Sequence, residues 1–461
     1  MQFRIDVVVR FQIALVVALS ASAAFAQSER RLDYTTSGAE LSAIVKEIGK
    51  LPGQKLSVDR SLAKEIVVVS VNGVTASEFR EKLADCVSGK WVEREGDAFE
   101  LVADDVLSAV RRRQDQKAYA RDIYARLDKS IERNRPMLLE EGGVGSHYGR
   151  ETLTLRIAKL IPVSVYEDLL IGDRIVFSSN PNRLQRKLPD VSESFESFRR
   201  ADKEKIIAEE AIQGRTAEVD LPPVSSFLLV LERRDREDLF LSFQAIGDNG
   251  TVVSTTFTSA ESLEPAMAPP SAEGAKIAWS TVALEIARVY SRWTSHAIYG
   301  LAPLPDAVID SFRDPVSHEP LSYAFGTGML ALAKERKANV IATISDMNFG
   351  GALGFARNGL VTGEFWRLLN ARQSIHATDS NGWIIVRPTD PISARESRGD
   401  RRALRDLIAG KGSRLYPTLD SLAAFAHSAP AISRISEALV VPFYAVVATD
   451  SGHVGAALGI T

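Results

Sequence analysis

The sequence predicts an α+β protein of several domains, with small helix-and-strand modules around a central antiparallel meander. Three observations carry that expectation. One order of elements (helix, apolar strand, second short helix, hairpin) is written at 32–102 and again, less regularly, at 321–387. Three strand-like runs follow one another between 224 and 259, separated by turn residues. A chain of 461 residues with 45% apolar content can also fill roughly two to four separate cores. The division that follows is 1–26, 27–104, 105–220, 221–315, 316–390 and 391–461.

Residues 1–26 read as a secretory signal peptide. Arg4 and Arg10 precede or open an apolar run over 11–24, and Ala24-Phe25-Ala26 has the small-x-small form of a cleavage site. That run is about 14 residues long, short of the roughly 20 that span a bilayer. The expected location is therefore the periplasm or the exterior of a bacterial cell. No cysteine lies near the cleavage site to accept a lipid. Removing a segment that carries Arg4, Asp6 and Arg10 takes the net charge from −3 to −4, a balance that attracts neither nucleic acid nor an anionic membrane. After Ala26 the longest apolar stretch, 438–449, contains a proline and is too short to span, so it reads as a buried core segment.

In the first copy, Ser37 and Glu40 have capping-box spacing, and Leu41, Ile44, Val45 and Ile48 form the stripe of a helix ended by Gly49 and Leu51-Pro52-Gly53. Residues 54–58 and 66–71 are strand-like, the second almost wholly β-branched, and Asn72-Gly73 reads as a turn. Thr75 and Glu78 repeat the capping-box spacing before a helix with Phe79, Leu83 and Val87 facing inward. Residues 90–94 and 98–102 flank Glu95-Gly96-Asp97 as a hairpin. Cys86, the sole cysteine, excludes an intramolecular disulfide, and its helical spacing from Phe79 and Leu83 makes it a core residue in preference to a reactive thiol.

The segments LDYTTSGAELSAIVKEIGK, IVVVSVNGVTASEFREKLADCV and WVEREGDAFELV resemble the short N-terminal domain shared by secretins and TonB-dependent receptors. The resemblance covers about a sixth of the chain. It implies two helices against small sheets, no active site, and a periplasmic surface that docks to another protein. The chain departs from that family beyond residue 104, where neither the alternating strands of a membrane barrel nor a secretin pore region follows.

Residues 105–134 form a charged helix with Ala120, Ile123, Tyr124, Leu127 and Ile131 on one face, and Arg111-Arg112-Arg113 reads as part of its solvated side. The glycine-rich stretch 140–149 lacks the spacing and the lysine of a phosphate cradle and reads as an interdomain loop. Helical character resumes at 153–170 with a break at Pro162, and a short strand at 174–177 and a polar helix at 193–211 follow. Strands at 227–232, 239–245 and 252–257 make the meander. A proline- and alanine-rich linker at 262–274 leads to a helical stretch at 279–293 that can cover the sheet.

The second copy places a helix at Leu330, Leu332 and Ala333, a strand at 340–344, a helix opening at Thr362-Gly363-Glu364-Phe365, and a hairpin over 373–387 turning at 379–382. The glycine-rich run 348–359 stands where the first copy has its branched strand. Beyond Pro388, residues 395–406 and 419–426 read as exposed helices.

Motifs of chemistry are sparse. His147, His296, His318, His376, His427 and His453 have no partner at metal-ligand spacing, and H-E-x-x-H, C-x-x-C and G-x-S-x-G are absent. Asp346 and Asn348 fit a glycine-rich turn better than a calcium loop, and Asp104-Asp105 and Glu140-Glu141 are adjacent, so their side chains diverge. No catalytic, cofactor-binding or metal-binding residue is nominated, and no cofactor is expected. The expected function is docking to other envelope proteins through the first module, with homo-oligomerisation open, no nucleic acid partner, and no membrane-spanning segment once the leader is removed. The alternatives are a hydrolase of an envelope polymer that uses the module for targeting, and an oligomeric periplasmic scaffold.

Overall fold

The computed structural model describes residues 31–50, 55–95, 98–140, 147–216, 219–233, 239–260, 271–281, 284, 320–343, 358–371, 374–396 and 420. Its architecture is α+β, with one five-stranded mixed sheet, one five-stranded sheet built on a meander, and one three-stranded sheet.

Up to residue 103 the chain forms β1 (Arg31–Glu40), α1 (Leu41–Ile48), β2 (Lys55–Val58), β3 (Ile66–Thr75), α2 (Ala76–Cys86), β4 (Gly89–Arg94) and β5 (Ala98–Ala103). The later elements α7 (Pro320–Arg336), β11 (Asn339–Ala342), α8 (Thr362–Ala371), β12 (Ile375–Ser380), β13 (Trp383–Pro388) and α9 (Pro391–Glu396) join them. The two segments share one sheet, ordered β1-β3-β11-β13-β12, in which β11 lies antiparallel to β3. On one side of this sheet lie α1 and α2, which are covered in turn by the β2-β5-β4 sheet. On the other side lie α7 and α8. The result is four layers: small sheet, helices, large sheet, helices.

This layering explains the apolar runs 66–69 of β3, 340–342 of β11 and 383–386 of β13, since a stretch buried on both faces has no polar side to show. Val67, Val69 and Val71 of β3, Ile341 of β11, and Trp383 and Ile385 of β13 point toward α1 and α2. Val68, Val340, Ala342, Ile384 and Val386 point the other way, onto Phe325, Met329 and Leu332 of α7 and Phe365 and Leu369 of α8.

Local order recurs as well. In the small sheet β2 is parallel to β5, which is antiparallel to β4. In the large sheet β11 is parallel to β13, which is antiparallel to β12. The β1–β3 pairing ends at Arg31↔Thr75, just before α2. Its counterpart is a single antiparallel bridge, Lys276↔Val361, just before α8.

Several local expectations change. Ser37 and Glu40 do not form a capping box: β1 runs through both, and Glu40 caps α1 without a side-chain hydrogen bond. Asn72-Gly73 is a bulge inside β3 where a turn was expected. Gly73 has φ +66° and donates its N–H to Asp33 Oδ1 at 2.7 Å, and the strand continues to Thr75. Thr75 does cap α2, accepting from Glu78 N at 3.1 Å, but the Glu78 carboxylate turns to accept from Trp383 Nε1 at 2.6 Å. The β12–β13 turn is Asn381-Gly382, both at positive φ, as a tight two-residue hairpin requires.

The middle of the chain is a second body. A single helix α3 (Asp105–Glu140) leads to α4 (His147–Lys159), α5 (Val163–Asp168), β6 (Arg174–Ser178), β7 (Arg186–Lys187), α6 (Ser192–Ile212), β8 (Val224–Arg233), β9 (Leu239–Gly247) and β10 (Val252–Ala260). The meander is present, and β6 and β7 extend it to the order β10-β9-β8-β6-β7, so strands also occur in the region expected to be mainly helical. Tyr119, Ile123 and Leu127 of α3, Leu155 and Ala158 of α4, and Phe195 of α6 pack on Leu229, Leu241 and Phe243 of the sheet. Arg233 is buried here, its Nη1 donating to Leu169 O at 2.8 Å and its guanidinium 3.7 Å from the centre of the Tyr119 ring.

Of the glycine-rich stretch expected to be a loop, residue 140 ends α3 and residues 147–149 open α4. Residues 141–146, the expected leader at 1–26, most of the 279–293 stretch, Asp346 and Asn348, most of 395–406, and nearly all of 419–449 lie outside the described residues. No described helix is long and apolar enough to cross a membrane.

Candidate docking surface

The three-stranded sheet is the outermost layer of the first body. Its register sorts its residues by face. Leu56, Val58, Trp91, Phe99 and Leu101 lie on the inner face over α1 and α2, and Leu101 is wholly buried. Trp91 Nε1 donates to Arg80 O at 2.8 Å, and the Arg80 guanidinium sits 4.4 Å from the Phe99 ring centre, tying the sheet to α2. The outer face carries Lys55, Ser57, Lys90, Val92, Arg94 and Glu100. Arg94 pairs with Glu100 at 2.6 Å, whereas Lys55 and Lys90 have no carboxylate partner among the described residues. Within those residues no element covers this face, and β2 and β4 are its unpaired edges.

Other strands of the first segment are committed elsewhere. The edge of β3 is taken by β11, and α7 packs across β1. The outer edge of β1 is unpaired too, but α7 packs across that strand and a register shift between Thr36 and Ala39 kinks it, both of which hinder pairing along an edge. The small sheet is therefore the better receiver of a strand added from outside. Of its two edges β4 is the longer, six residues against the four of β2.

Three consecutive arginines join the module to the rest of the molecule. Successive helical residues point about 100° apart, so Arg111, Arg112 and Arg113 reach three different segments. Arg111 is buried, donating to Asp85 O at 2.8 Å, to Ser88 Oγ, and to the Asp85 carboxylate at the end of α2. Arg112 binds Asp390 at 3.2 Å, Ser393 Oγ at 3.1 Å and Glu396 at 2.8 Å, all beside or on α9. Arg113 lies 3.4 Å from Glu167 and 3.6 Å from Asp168 of α5. From α9, Arg395 returns to Val87 O at 2.8 Å and Ser88 O at 3.2 Å. The triplet is thus a joint between segments, where a solvated helix face was expected. Sequence showed the three charges but not their acceptors, which lie up to 284 residues away.

Cys86 is buried beside this joint, its thiol donating to Val386 O at 3.4 Å, and burial pushes its pKa up, away from thiolate chemistry. His376 stands across from Arg387 in the β12–β13 pair. Burial and the positive charges of Arg387 and Arg111 hold its pKa below the usual value, with Asp85 opposing. The side chains of the other five histidines lie outside the described residues. Among the described residues no group of three or more His, Cys, Asp or Glu side chains is placed to hold a metal ion. No family model, no curated protein and no solved structure matches this chain.

Proposed function

We propose that the chain is an exported docking protein of the bacterial cell envelope, which holds an extended segment of another envelope protein along the β4 edge of its three-stranded sheet. One observation carries the reading: this small sheet has its outer face uncovered among the described residues and its β4 edge unpaired, while the β3 edge of the same module is closed by β11. Strand addition draws affinity from main-chain hydrogen bonds and specificity from alternate side chains. Here the unpaired Lys55 and Lys90 favour a segment that carries acidic residues. The signal-like residues 1–26 and the resemblance of 32–102 to the short N-terminal domain of secretins and TonB-dependent receptors support the envelope location and the docking role.

The test is site-specific photo-crosslinking in the native cells. A photoreactive residue at Lys90 of the full chain should give one discrete adduct that survives washing, and the same residue at Lys203 on α6 should not. Lys90→Glu together with Lys55→Glu should weaken that adduct. Equal labelling from both positions, no adduct from Lys90, or a chain retained in the cytoplasmic fraction would overturn the proposal.

A further inference from the structure

The two segments of the first body leave a cleft of 520 Å³ where they meet, within the size range of small-ligand sites. Thr35 of β1 and Ser70 and Asn72 of β3 line one side. Leu330, Ala333 and Lys334 of α7 and then Lys337, Ala338 and Asn339 line the other. The strand pattern explains the opening. On the face of β3 that meets α7, Val68 lies under the apolar part of the helix, while the next residues on that face are Ser70 and Asn72. Thr35 pairs directly with Ser70 across the two strands, which puts two hydroxyls side by side.

The lining is one-sided in charge: two lysines, two hydroxyls and two amides, with no carboxylate. The sequence Lys334-Glu335-Arg336-Lys337 sorts its charges by direction. Glu335 accepts from Ala275 N at 2.6 Å and binds the Thr362 hydroxyl, while Arg336 pairs with Asp379 and lies 4.8 Å from the Trp366 ring centre. Lys334 and Lys337 are exposed and have no ion-pair partner among the described residues. The α7 dipole favours the cations of its last turn, where Lys334 and Arg336 both stand, while Lys337 lies one residue past the helix end. Lys337 also occupies a left-handed backbone position, φ +50°, where Ala338 N closes back on Ala333 O at 3.1 Å. Glycine is the residue at ease in that C-terminal position, so the lysine stands there at a local cost. Asn339 Oδ1 accepts from Asn72 N at 2.9 Å, which turns the amide so that its NH₂ is the end left to donate.

From this geometry we infer that the cleft binds a small organic anion, a carboxylate or phosphate held by Lys334 and Lys337 with the Ser70 and Thr35 hydroxyls and the Asn339 amide as neutral donors. The carbon-bearing face of its attached body would lie against Leu330 and Ala333. Because the walls come from residues 35–72 and 330–339, occupancy clamps the two segments together, and the ligand should stabilise the fold in proportion to its saturation. The inference does not depend on docking at β4.

The test uses the full chain in low-salt buffer, with calorimetric titration and thermal unfolding read together. The ligands are inorganic phosphate and glucuronate, with glucose as the neutral control. Saturable binding of either anion with a rise in unfolding midpoint, and none with glucose, is expected. Phosphate alone would assign a phosphate ester, and glucuronate alone an acidic sugar. Lys334→Met with Lys337→Met keeps the aliphatic stems and should weaken binding about a hundredfold, and Ser70→Ala about fivefold to tenfold. Lys203→Met should bind as the parent does. Circular dichroism checks that each variant is folded. Absence of saturable binding of both anions at about 10 mM, equal binding of glucose, or undiminished binding by the folded double-methionine variant would overturn the inference.

Discussion

Neighbouring residues of one type do different work when a helix turns each toward a different segment. Arg111 is buried on the end of α2, and Arg112 is part-buried on Asp390 and Glu396. Arg113 is half-exposed, so its ion pairs are screened and contribute little. The positive field of this joint also reaches His376. Arg387 faces it from β13, Arg111 from α3 and the single carboxylate Asp85 from α2. Its pKa is lowered in the folded chain, so the unfolded chain binds the extra proton first as pH falls. The stability contributed by neutral His376 is therefore present above about pH 6.5 and is lost as pH drops through the lower folded value. Urea midpoints measured from pH 7.5 to 5 should fall more steeply for the parent than for His376→Asn. Parallel curves for the two proteins would sink this account.

At the scale of elements, packing overrides propensity. Gly326 and Gly328 sit within α7, where alanine would favour the helix by about 1 kcal/mol each. A Cβ at Gly326 would lie on the Ser37 carbonyl of β1, and one at Gly328 would run into the Phe365 ring of α8. Gly326→Ala should therefore lower stability by about 1–3 kcal/mol, the usual penalty of overpacking, with loss of α7 from β1. A urea midpoint at or above the parent's would show that the helix simply shifts outward. These glycines mark how far the sequence could be read. The hairpins at β4–β5 and β12–β13, the helix α2 with its Thr75 cap, and the meander were legible, because each follows from residues within a dozen positions. The strand β1 was not, since Tyr34-Thr35-Thr36-Ser37 shows no alternation and its order comes from pairing with β3. The Asn72-Gly73 bulge looked like a turn because both need a positive φ, and only the partner Asp33 distinguishes them. The cleft was illegible for the same reason: Ser70 and Lys334 meet only through tertiary packing.

For the molecule as a whole, the shared sheet makes the two ends of the described chain one folding unit despite the second body between them. Residues 31–103 alone would expose the β3 edge and Val68, and would lose Ile341, Trp383 and Ile385 from the core beneath α1 and α2. Each such side chain is worth about 1.5–3 kcal/mol when buried, so the loss is comparable with the whole stability of a small domain. The same contacts should hold the halves together when the covalent link is cut. A protease site introduced within 261–270 and cleaved under native conditions should leave two fragments that co-elute as one species. They should separate in urea and reassociate on dilution. The β3–β11 pairing, the Trp383–Glu78 hydrogen bond and the Arg112–Asp390 pair all cross that cut. Fragments that drift apart in native buffer would mean that the shared sheet is too weak to bind its own halves. An uncut parent that unfolds in two separate steps, one for 31–103 and one for 320–396, would mean that the two segments are independent modules after all.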